Sequence, residues 1–331
     1  MDIKDGENMV KIAIVGAGGM GNVHYLNYQY VDECEVVAIV GNAQNDIDHA
    51  KAWKLPLYKS IDELMEHEEV DAIDVCTPTF LHYDHVMQAL KYKKDVICEK
   101  PLTLKKKLAQ ELYAYAKQQS CHLYVAHVVQ FTKPTQILKE VINSKQYGKV
   151  LDGYFERLSA KPNWAVNSWL FEKKKSGLLP FDLHVHDLDV IVSLFGVAKD
   201  ITFTSCPKNE AYPQQYRFTY KYDDKNIVGE AAWFNANIPF CARWRVYFEK
   251  GYLVNDGECV VMYPEDGEPI FYDVEELQKV STGINVPPTG MYLEELKHFV
   301  TCIRNNIASS IVEEKQVIEV IDILETISKH S

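Results

Sequence analysis

The sequence lacks the features of a secreted, membrane-bound or nucleic-acid-binding protein. No apolar run reaches the ~18 residues of a membrane span. The first ten residues, MDIKDGENMV, are acidic and polar where a signal peptide is basic and then apolar. Its 47 acidic residues outnumber 35 Lys and Arg, and the net charge of −12 argues against nucleic acid or an anionic membrane as the main partner. We therefore expect a cytoplasmic protein with a small-molecule substrate.

The eight cysteines form no CxxC pair and lie far apart, so the sequence offers neither a disulfide framework nor a cysteine-based metal site. Internal repeats and low-complexity tracts are also absent. With 331 residues, the chain is long enough for two domains that each bury a core.

The sequence pattern changes near residue 127. Short apolar runs alternate with helical segments up to about residue 127, which predicts βαβ units and a doubly wound parallel sheet, the Rossmann arrangement. From residue 128 to 331 most strand candidates are aromatic or β-branched and joined by short polar turns. We predict an α/β protein: a dinucleotide-binding domain (1–127), then a substrate-binding and oligomerisation domain (128–331) with an open, mainly antiparallel sheet.

The first strand, VKIAIVG, runs into the glycine-rich segment GAGGMG at residues 16–21. In a GxGxxG turn the first glycine permits the tight turn, the second lets a pyrophosphate approach, and the third lets the helix pack on the strand. Three glycines alone are weak evidence, but their place between a strand and a helix favours a dinucleotide site. The predicted contacts are Gly16, Gly18, Gly19, Met20 and Gly21.

The second strand, EVVAIV, ends in Gly41 and Asn42, where many NAD-binding proteins carry a carboxylate for the ribose hydroxyls. The missing carboxylate leaves room for a 2′-phosphate, so we expect NAD or NADP with NADP slightly favoured. The nearby helix offers candidates for both: His49 and Lys51 for the phosphate, Asp46 or Asp48 for the ribose of NAD.

Two later strand ends face the same crevice, because ligands of such sheets bind beyond the carboxyl ends of the strands. CTPTFLH (76–82) places Thr77 and Pro78 there, and CEKP (98–101) places Glu99 and Lys100 there. Lys100 is expected near the point where a nicotinamide and its substrate meet. A solvated surface ion pair is the alternative reading.

The segment DLHVHDLD (182–189) concentrates three carboxylates and two imidazoles in eight positions. As a strand, it would set Asp182, His184 and His186 on one face as metal ligands. The flanking Pro180 and Gly196 favour a helix over about 178–195 instead, which aligns Asp182 with His186 and turns His184 away. A carboxylate beside an imidazole suits acid/base chemistry, while a solvated helix face is the bland alternative.

In combination, GxGxxG, TPxxxH ending in His82, EKP and the DxxxHxxD helix resemble the Gfo/Idh/MocA family of oxidoreductases, which includes inositol dehydrogenases and glucose-fructose oxidoreductase. The resemblance extends over nearly the whole chain and keeps the family's order of motifs. It implies that His82 belongs to the cofactor site. It also implies that Lys100, Asp182 and His186 meet over the nicotinamide.

The same resemblance implies the roles of the catalytic residues. His186 is the acid/base on the substrate hydroxyl, Lys100 assists by a charged hydrogen bond, and Asp182 orients the pair. His184 departs from the family pattern, in which many relatives have a glycine, and we interpret it as a core or supporting histidine. Trp164 and Trp169 either stack on a sugar ring or only pack their loop.

We therefore predict an NAD(P)-dependent dehydrogenase or reductase acting on a secondary alcohol, plausibly of a sugar, sugar derivative or cyclitol, without a metal. It is expected to form a homodimer or homotetramer through aromatic strands such as ARWRVYFEK. One alternative is a non-catalytic, dinucleotide-binding redox regulator. Another is a metal-dependent hydrolase using Asp182, His184 and His186, which requires a strand at 182–189.

Overall fold

A computed structural model describes residues 9–163, 166–207, 211–284 and 286–330. The chain divides into two compact units. The first comprises the chain up to Val128 together with Gln278–Ile318, and the second comprises Val129–Leu277 with the chain from Glu319. This division differs from the predicted one, in which the whole segment after residue 127 belonged to the second domain.

Strands and helices alternate in the first unit, and strands dominate the second. The strands are β1 (Val10–Val15), β2 (Cys34–Val40), β3 (Leu57–Tyr58), β4 (Ala72–Val75), β5 (Asp95–Glu99), β6 (Leu123–Ala126), β7 (Val150–Ala160), β8 (Asp200–Ser205), β9 (Gln215–Lys221), β10 (Asn226–Phe234), β11 (Cys241–Phe248), β12 (Gly251–Asn255), β13 (Val260–Pro264) and β14 (Ile270–Tyr272). The α-helices are α1 (Gly19–Tyr28), α2 (Gln44–Trp53), α3 (Ile61–His67), α4 (Thr79–Lys91), α5 (Lys106–Gln119), α6 (Lys133–Ser144), α7 (Lys173–Ser176), α8 (Val185–Phe195), α9 (Met291–Asn305) and α10 (Glu314–His330).

The sheet of the first unit is parallel throughout, with the order β3-β2-β1-β4-β5-β6. The order reverses at β1, which pairs with β2 on one side and β4 on the other: Val15 lies opposite Val40 and Val75. The segments that follow these strands therefore emerge side by side at the carboxyl edge, the usual ligand-binding edge of such sheets.

The core of the first unit explains why the segment 278–318 belongs to it. β1 is almost wholly apolar because a parallel sheet is covered on both faces. Ile12 and Ile14 share one buried cluster with Leu293, Leu296 and Val300 of α9. The apolar side of this amphipathic helix thus completes the core, an arrangement over long sequence separation that the local pattern of the chain does not reveal.

The second unit contains an eight-stranded sheet with the order β14-β13-β12-β11-β7-β10-β9-β8. Its neighbouring strands are antiparallel except for the parallel pair β7 and β10. Alternate side chains of β9 are buried, with Tyr216, Phe218 and Tyr220 facing the core. The expectation of an α/β protein with a Rossmann sheet and a separate, mainly antiparallel sheet is confirmed.

The helical segment predicted over about 178–195 is present and packs on this second sheet. It begins with a π-helical turn, Pro180–His184, and continues as α8. Gly229 of β10 permits the close approach, because a Cβ atom there would lie 2.6 Å from Cε1 of His184. The strand required by the metal-dependent hydrolase alternative is therefore replaced by helix at 182–189.

Two short strands, β3 and β14, were not predicted, since two or three residues carry too little pattern to be recognised. Across the described residues, no helix combines the length and the apolar character needed to cross a membrane.

Candidate functional site

The glycine-rich turn after β1 has a backbone that only glycine accommodates. Gly16 has φ +87°, and a Cβ atom there would lie 2.7 Å from Cγ2 of Thr77. A Cβ atom on Gly21 would lie 2.2 Å from the carbonyl oxygen of Gly16, so the third glycine lets α1 pack directly against the turn. Both glycines serve the fold of the turn, as the motif predicts.

Gly18 and Gly19 have a different role, because a Cβ atom on either would meet nothing within 4 Å. The space beside them is open, and α1 begins at Gly19 with no acidic residue in its first turn. The first backbone N–H groups of a helix have no partner within the helix and attract anions. The turn therefore fits the pyrophosphate of a dinucleotide. Met20, between them and Gly21, packs partly on the core.

The end of β2 carries a carboxylate that the strand itself does not supply. Asp46 of α2 is buried, and its Oδ1 accepts a hydrogen bond of 2.7 Å from the backbone N–H of Ala17. A Cβ atom on Gly41 would lie 2.2 Å from Oδ2 of Asp46. The predicted open space next to Gly41 is thus filled by Asp46, while Asn42 is exposed.

The end of β4 is held by two histidines of α4. Nδ1 of His85 lies 3.0 Å from Oγ1 of Thr77. The ring nitrogens of His82 lie 2.9 and 2.7 Å from the carbonyl oxygens of Pro101 and Thr77. Since His82 is buried and both of its nitrogens contact backbone, it links the loops after β4 and β5 and has no polar atom left for a dinucleotide. That corrects its assignment as a direct contact; Thr77 and the adjacent Pro78 remain half-buried at the edge.

Lys100 is a break in the burial that runs through the carboxyl end of β5. Val96 to Glu99 are buried, and Lys100 is half-buried. Oε2 of Glu99 accepts a hydrogen bond of 3.0 Å from the backbone N–H of Lys100. Glu99 therefore holds the backbone at the position where Lys100 leaves the sheet, which is a supporting role.

Sequence reasoning missed a buried polar cluster behind this edge. His24 of α1 donates from Nδ1 to Oδ2 of Asp74 at 2.8 Å, and its Nε2 lies 3.2 Å from Oε1 of Glu99. The Cys76 thiol lies 3.4 Å from both His24 and Asp74, and Tyr28 donates to Asp74 at 2.9 Å. The signal was Asp74, an acid inside a buried apolar strand, which requires a partner.

Charge explains the protonation of this cluster. Burial by itself opposes the charge on His24, but the carboxylate of Asp74 and the neighbouring Cys76 hold the pKa of His24 well above its usual value. Burial, with the charge of Asp74 second, raises the pKa of the Cys76 thiol. Donor atoms of His24, Asp74 and Cys76 lie within 4.8 Å of one another. The contacts of 2.8 and 3.4 Å are hydrogen-bond separations, so we interpret the group as a polar network that joins α1 to β4 and β5.

In the second unit, three polar side chains of the 182–189 segment are buried and have partners. His184 stacks on Phe218 with ring centroids 3.9 Å apart, and its Nε2 lies 2.6 Å from the hydroxyl of Tyr220. Burial, reinforced by the charge of Arg157, lowers the pKa of His184 to about 3. The interpretation of His184 as a neutral core residue agrees with this environment.

The two buried acids of the segment are also engaged. Arg157 of β7 donates from Nε and from a terminal guanidinium nitrogen to the two carboxylate oxygens of Asp187, at 2.9 Å each. Asp189 accepts a hydrogen bond from the side-chain amide of Gln130. Bidentate pairing of this kind fixes orientation as well as charge, so it anchors the start of α8 to the sheet.

Asp182 and His186 differ from these three residues in burial. Every residue from 176 to 192 is buried apart from these two, which are half-buried, and all of these positions lie in the described part of the chain. They lie four positions apart on the helical segment, and each is partly exposed to solvent. A carboxylate and an imidazole are groups that can hold and transfer a proton.

Of the two tryptophans predicted near the substrate, only Trp169 belongs to the residues that the structure describes. Trp169 is half-buried in a 3₁₀-helical segment, Val166–Phe171. Trp164 lies outside the described residues.

Comparison with known proteins agrees with this arrangement. Residues 10–127 match a family profile described as an oxidoreductase family with an NAD-binding Rossmann fold, and residues 135–254 match the GFO/IDH/MocA C-terminal domain. Together the two profiles account for most of the chain.

Among curated relatives, glucose-6-phosphate 3-dehydrogenase of Bacillus subtilis is 30% identical over 194 residues, 56% of this chain and 54% of that protein. Myo-inositol 2-dehydrogenase of Thermotoga maritima is 27% identical over 190 residues, 56% of this chain and 55% of that protein. The chain thus matches about half the length of these relatives.

A solved structure of levoglucosan dehydrogenase, in complex with NADH and levoglucosan, is similar in fold. The TM-score is 0.83 at 18% sequence identity, with 98% of each chain covered.

Proposed function

The chain belongs to the Gfo/Idh/MocA family of oxidoreductases, and from that premise we propose that it transfers a hydride between a nicotinamide dinucleotide and a secondary alcohol. The substrate class that we propose is a sugar, a sugar derivative or a cyclitol. The names of the similar proteins, a sugar-phosphate dehydrogenase and an inositol dehydrogenase, support this class.

The dinucleotide is proposed to bind at the carboxyl edge of the parallel sheet. Gly18 and Gly19 leave room for its pyrophosphate, and the first amides of α1 would donate to it. Gly41 and Thr77 border the same edge. The chemistry that the dinucleotide would supply when bound is hydride exchange with the alcohol carbon.

The chain's own residues supply the proton chemistry. In alcohol oxidation His186 takes the hydroxyl proton on a ring nitrogen, and Asp182 orients the imidazole. The positive charge of Lys100 stabilises the negative charge that develops on the substrate oxygen. In the reverse direction His186 returns the proton to that oxygen.

One observation carries this assignment: Asp182 and His186 are the two half-buried residues in an otherwise buried stretch from 176 to 192. The buried polar residues of the segment, His184, Asp187 and Asp189, contact Tyr220, Arg157 and Gln130 respectively. A non-catalytic redox regulator has no need of an acid/base pair presented in this way, and the family places the chain among oxidoreductases.

The experiment that tests the function is a screen of sugars and polyols for reduction of NAD and NADP by the purified protein. We expect turnover with at least one member, because the pair on the helix and Lys100 are retained. A protein that binds a dinucleotide but reduces it with no member of a broad panel would favour the regulator.

We also propose a homodimer or homotetramer that assembles through the second sheet. Tyr247 lies opposite Tyr252, and Tyr252 lies opposite Tyr263, on neighbouring strands of one face. Tyr247 and Tyr263 are exposed. A row of exposed aromatic side chains on a sheet suits an interface. Light scattering on the wild type and on a Tyr247→Lys/Tyr263→Lys variant tests this proposal. We expect the wild type to be an oligomer and the variant to be a smaller species. A monomeric wild type would contradict the proposal.

A further inference from the structure

The end of β2 decides between NAD and NADP in many dinucleotide-binding sheets, because a carboxylate there accepts the ribose hydroxyls and repels a 2′-phosphate. Position 41 is glycine and cannot do this. The carboxylate of Asp46, however, stands where a side chain at position 41 would begin: a Cβ atom on Gly41 would lie 2.2 Å from its Oδ2 and 2.4 Å from its Cγ. The glycine and the aspartate are therefore complementary, since only glycine leaves space for Asp46.

The hydrogen bonds of Asp46 exceed what a helix cap requires. Its Oδ2 accepts a hydrogen bond of 2.8 Å from the backbone N–H of Ala43, as expected of an acid in the first turn of α2. Its Oδ1 accepts a hydrogen bond of 2.7 Å from the backbone N–H of Ala17. This residue lies 29 positions earlier, between the first two glycines of the turn. Asp46 thus fixes the glycine turn to the end of β2 and places a carboxylate between them, with only 5% of the residue exposed.

The connection that carries this carboxylate provides no cation, and Lys51 of α2 is exposed. The connection from β2 to α2, residues 41–46, contains neither Arg nor Lys. Nδ1 of His49 donates to the carbonyl oxygen of Ala17 at 2.6 Å, and the ring of His49 stacks on Trp53 with centroids 4.6 Å apart. The histidine considered from the sequence as a phosphate ligand therefore holds the same turn.

We propose that Asp46 is the specificity-determining residue for the dinucleotide and makes the protein prefer NAD over NADP. The next helix brings this negative charge to the end of β2. There it repels the negatively charged 2′-phosphate of NADP, whereas the uncharged ribose hydroxyls of NAD are not repelled. This reverses the slight preference for NADP expected from Gly41. The inference depends on the proposed function only in that a dinucleotide binds at the glycine turn.

The test is calorimetric titration of NAD and NADP into the wild type, Asp46→Asn and Asp46→Ser, with Asp48→Asn as the matched control. Asp48 lies on the same helix but is exposed and accepts a hydrogen bond from the side chain of Gln44. We expect the wild type to bind NAD at least about 10-fold more tightly than NADP, and both Asp46 variants to move this ratio toward NADP by about 10-fold or more. Asp48→Asn leaves the ratio unchanged. Thermal unfolding of each variant establishes that it is folded.

Three results would overturn the inference. A wild type that binds NADP as tightly as NAD has no such determinant. Equal losses for both dinucleotides in the folded Asp46 variants would reduce Asp46 to a clamp of the glycine turn. Binding of neither dinucleotide to the folded wild type would remove the site itself. Failure of the proposed function gives a different result, namely tight NAD binding without turnover on any alcohol, and leaves the role of Asp46 intact.

Discussion

The glycine turn of the first unit and the 182–189 segment of the second unit have opposite designs. At the turn the proposed binding groups are backbone amides beside open space, and the buried side chain of Asp46 supports the backbone. At the segment the proposed catalytic groups are the side chains of Asp182 and His186, and the buried residues His184, Asp187 and Asp189 hold the helix in place. In the proposed mechanism, binding and proton transfer therefore depend on separate sets of residues. Substitutions at the two places should therefore change different measured quantities.

The largest expected effect is at His186. His186→Ala should lower turnover by about 10² to 10⁴ while the Kd for NAD stays within severalfold, because the imidazole transfers a proton and does not hold the dinucleotide. Alcohol oxidation by the wild type should also rise with pH, since only the neutral imidazole accepts a proton. Steady-state kinetics across pH, with NAD titration, checks both.

His122→Ala is the matched control, a half-buried histidine of the first unit with no proposed role. Asp182→Asn should lower turnover less than His186→Ala does, because in the proposed mechanism Asp182 orients the base and transfers no proton. If His186→Ala retained full turnover, the helix would not carry the chemistry and the comparison would fail.

Lys100→Met is expected to have the next largest effect, a loss of turnover of about 10²-fold with little change in NAD affinity. In the proposed mechanism its charge acts on the reacting oxygen, whereas the backbone at Lys100 is held by Glu99. Lys94→Met, a change just before β5 at the opposite end of the strand, is the control. Equal kcat for Lys100→Met and Lys94→Met would make the EKP segment a structural turn only.

Gly18→Ala sharpens the other half of the comparison. A Cβ atom there meets no protein atom within 4 Å, so the protein should fold with an unchanged Tm. The methyl group occupies the space proposed for the pyrophosphate, and NAD affinity should fall by about 10-fold or more. Gly21→Ala should instead lower the Tm, because its Cβ would meet the carbonyl oxygen of Gly16. Unchanged NAD affinity in Gly18→Ala would place the dinucleotide elsewhere.

The smallest effect concerns the pH dependence of stability near His184. Burial and the charge of Arg157 lower the pKa of His184 to about 3. Below pH ~6.5, therefore, His184 becomes protonated in the unfolded chain while it stays neutral in the folded chain. This residue therefore makes stability fall as the pH drops from about 6.5 toward 3, with a slope of about 1.4 kcal/mol per pH unit.

His184→Gln should remove that slope, as denaturant unfolding at several pH values will show. Tyr220→Phe, which deletes the hydrogen-bonding hydroxyl but keeps the imidazole, should retain it. Identical slopes in His184→Gln and the wild type would mean that His184 is protonated within the fold, contrary to its apolar stacking on Phe218.

The sequence predicted the glycine turn well because a strand, three spaced glycines and a helix are a local pattern with a backbone cause. It named Asp46 only as one of two candidates for the ribose of NAD, and it did not predict that this carboxylate lies against Gly41 at the end of β2. That group comes from Asp46 in the next helix, and only the fold brings it to Gly41. The His24–Asp74 pair was missed for the same reason, since it depends on the pairing of β1 with β4.

The 182–189 helix was predicted from Pro180 and Gly196, but its π-helical start was not. A π-turn closes its hydrogen bonds over five residues where an α-helix closes them over four, so a wheel of 100° per residue does not describe Pro180–His184. The partners of Asp187 and Asp189 lie 30 and 59 positions away. Which polar residues stay available for chemistry is thus decided by tertiary contacts that no local pattern contains.

The account's central claim is hydride transfer between an alcohol carbon and the dinucleotide, assisted by His186. The most direct measurement is the mass of the reduced dinucleotide that the wild type and His186→Ala form from sugars and polyols deuterated at their carbinol carbons. We predict deuterium in the dinucleotide reduced by the wild type and little product from the variant, with NAD bound equally by both. A reduced dinucleotide without deuterium, or NAD binding with no reduction by any member of the panel, would contradict the claim.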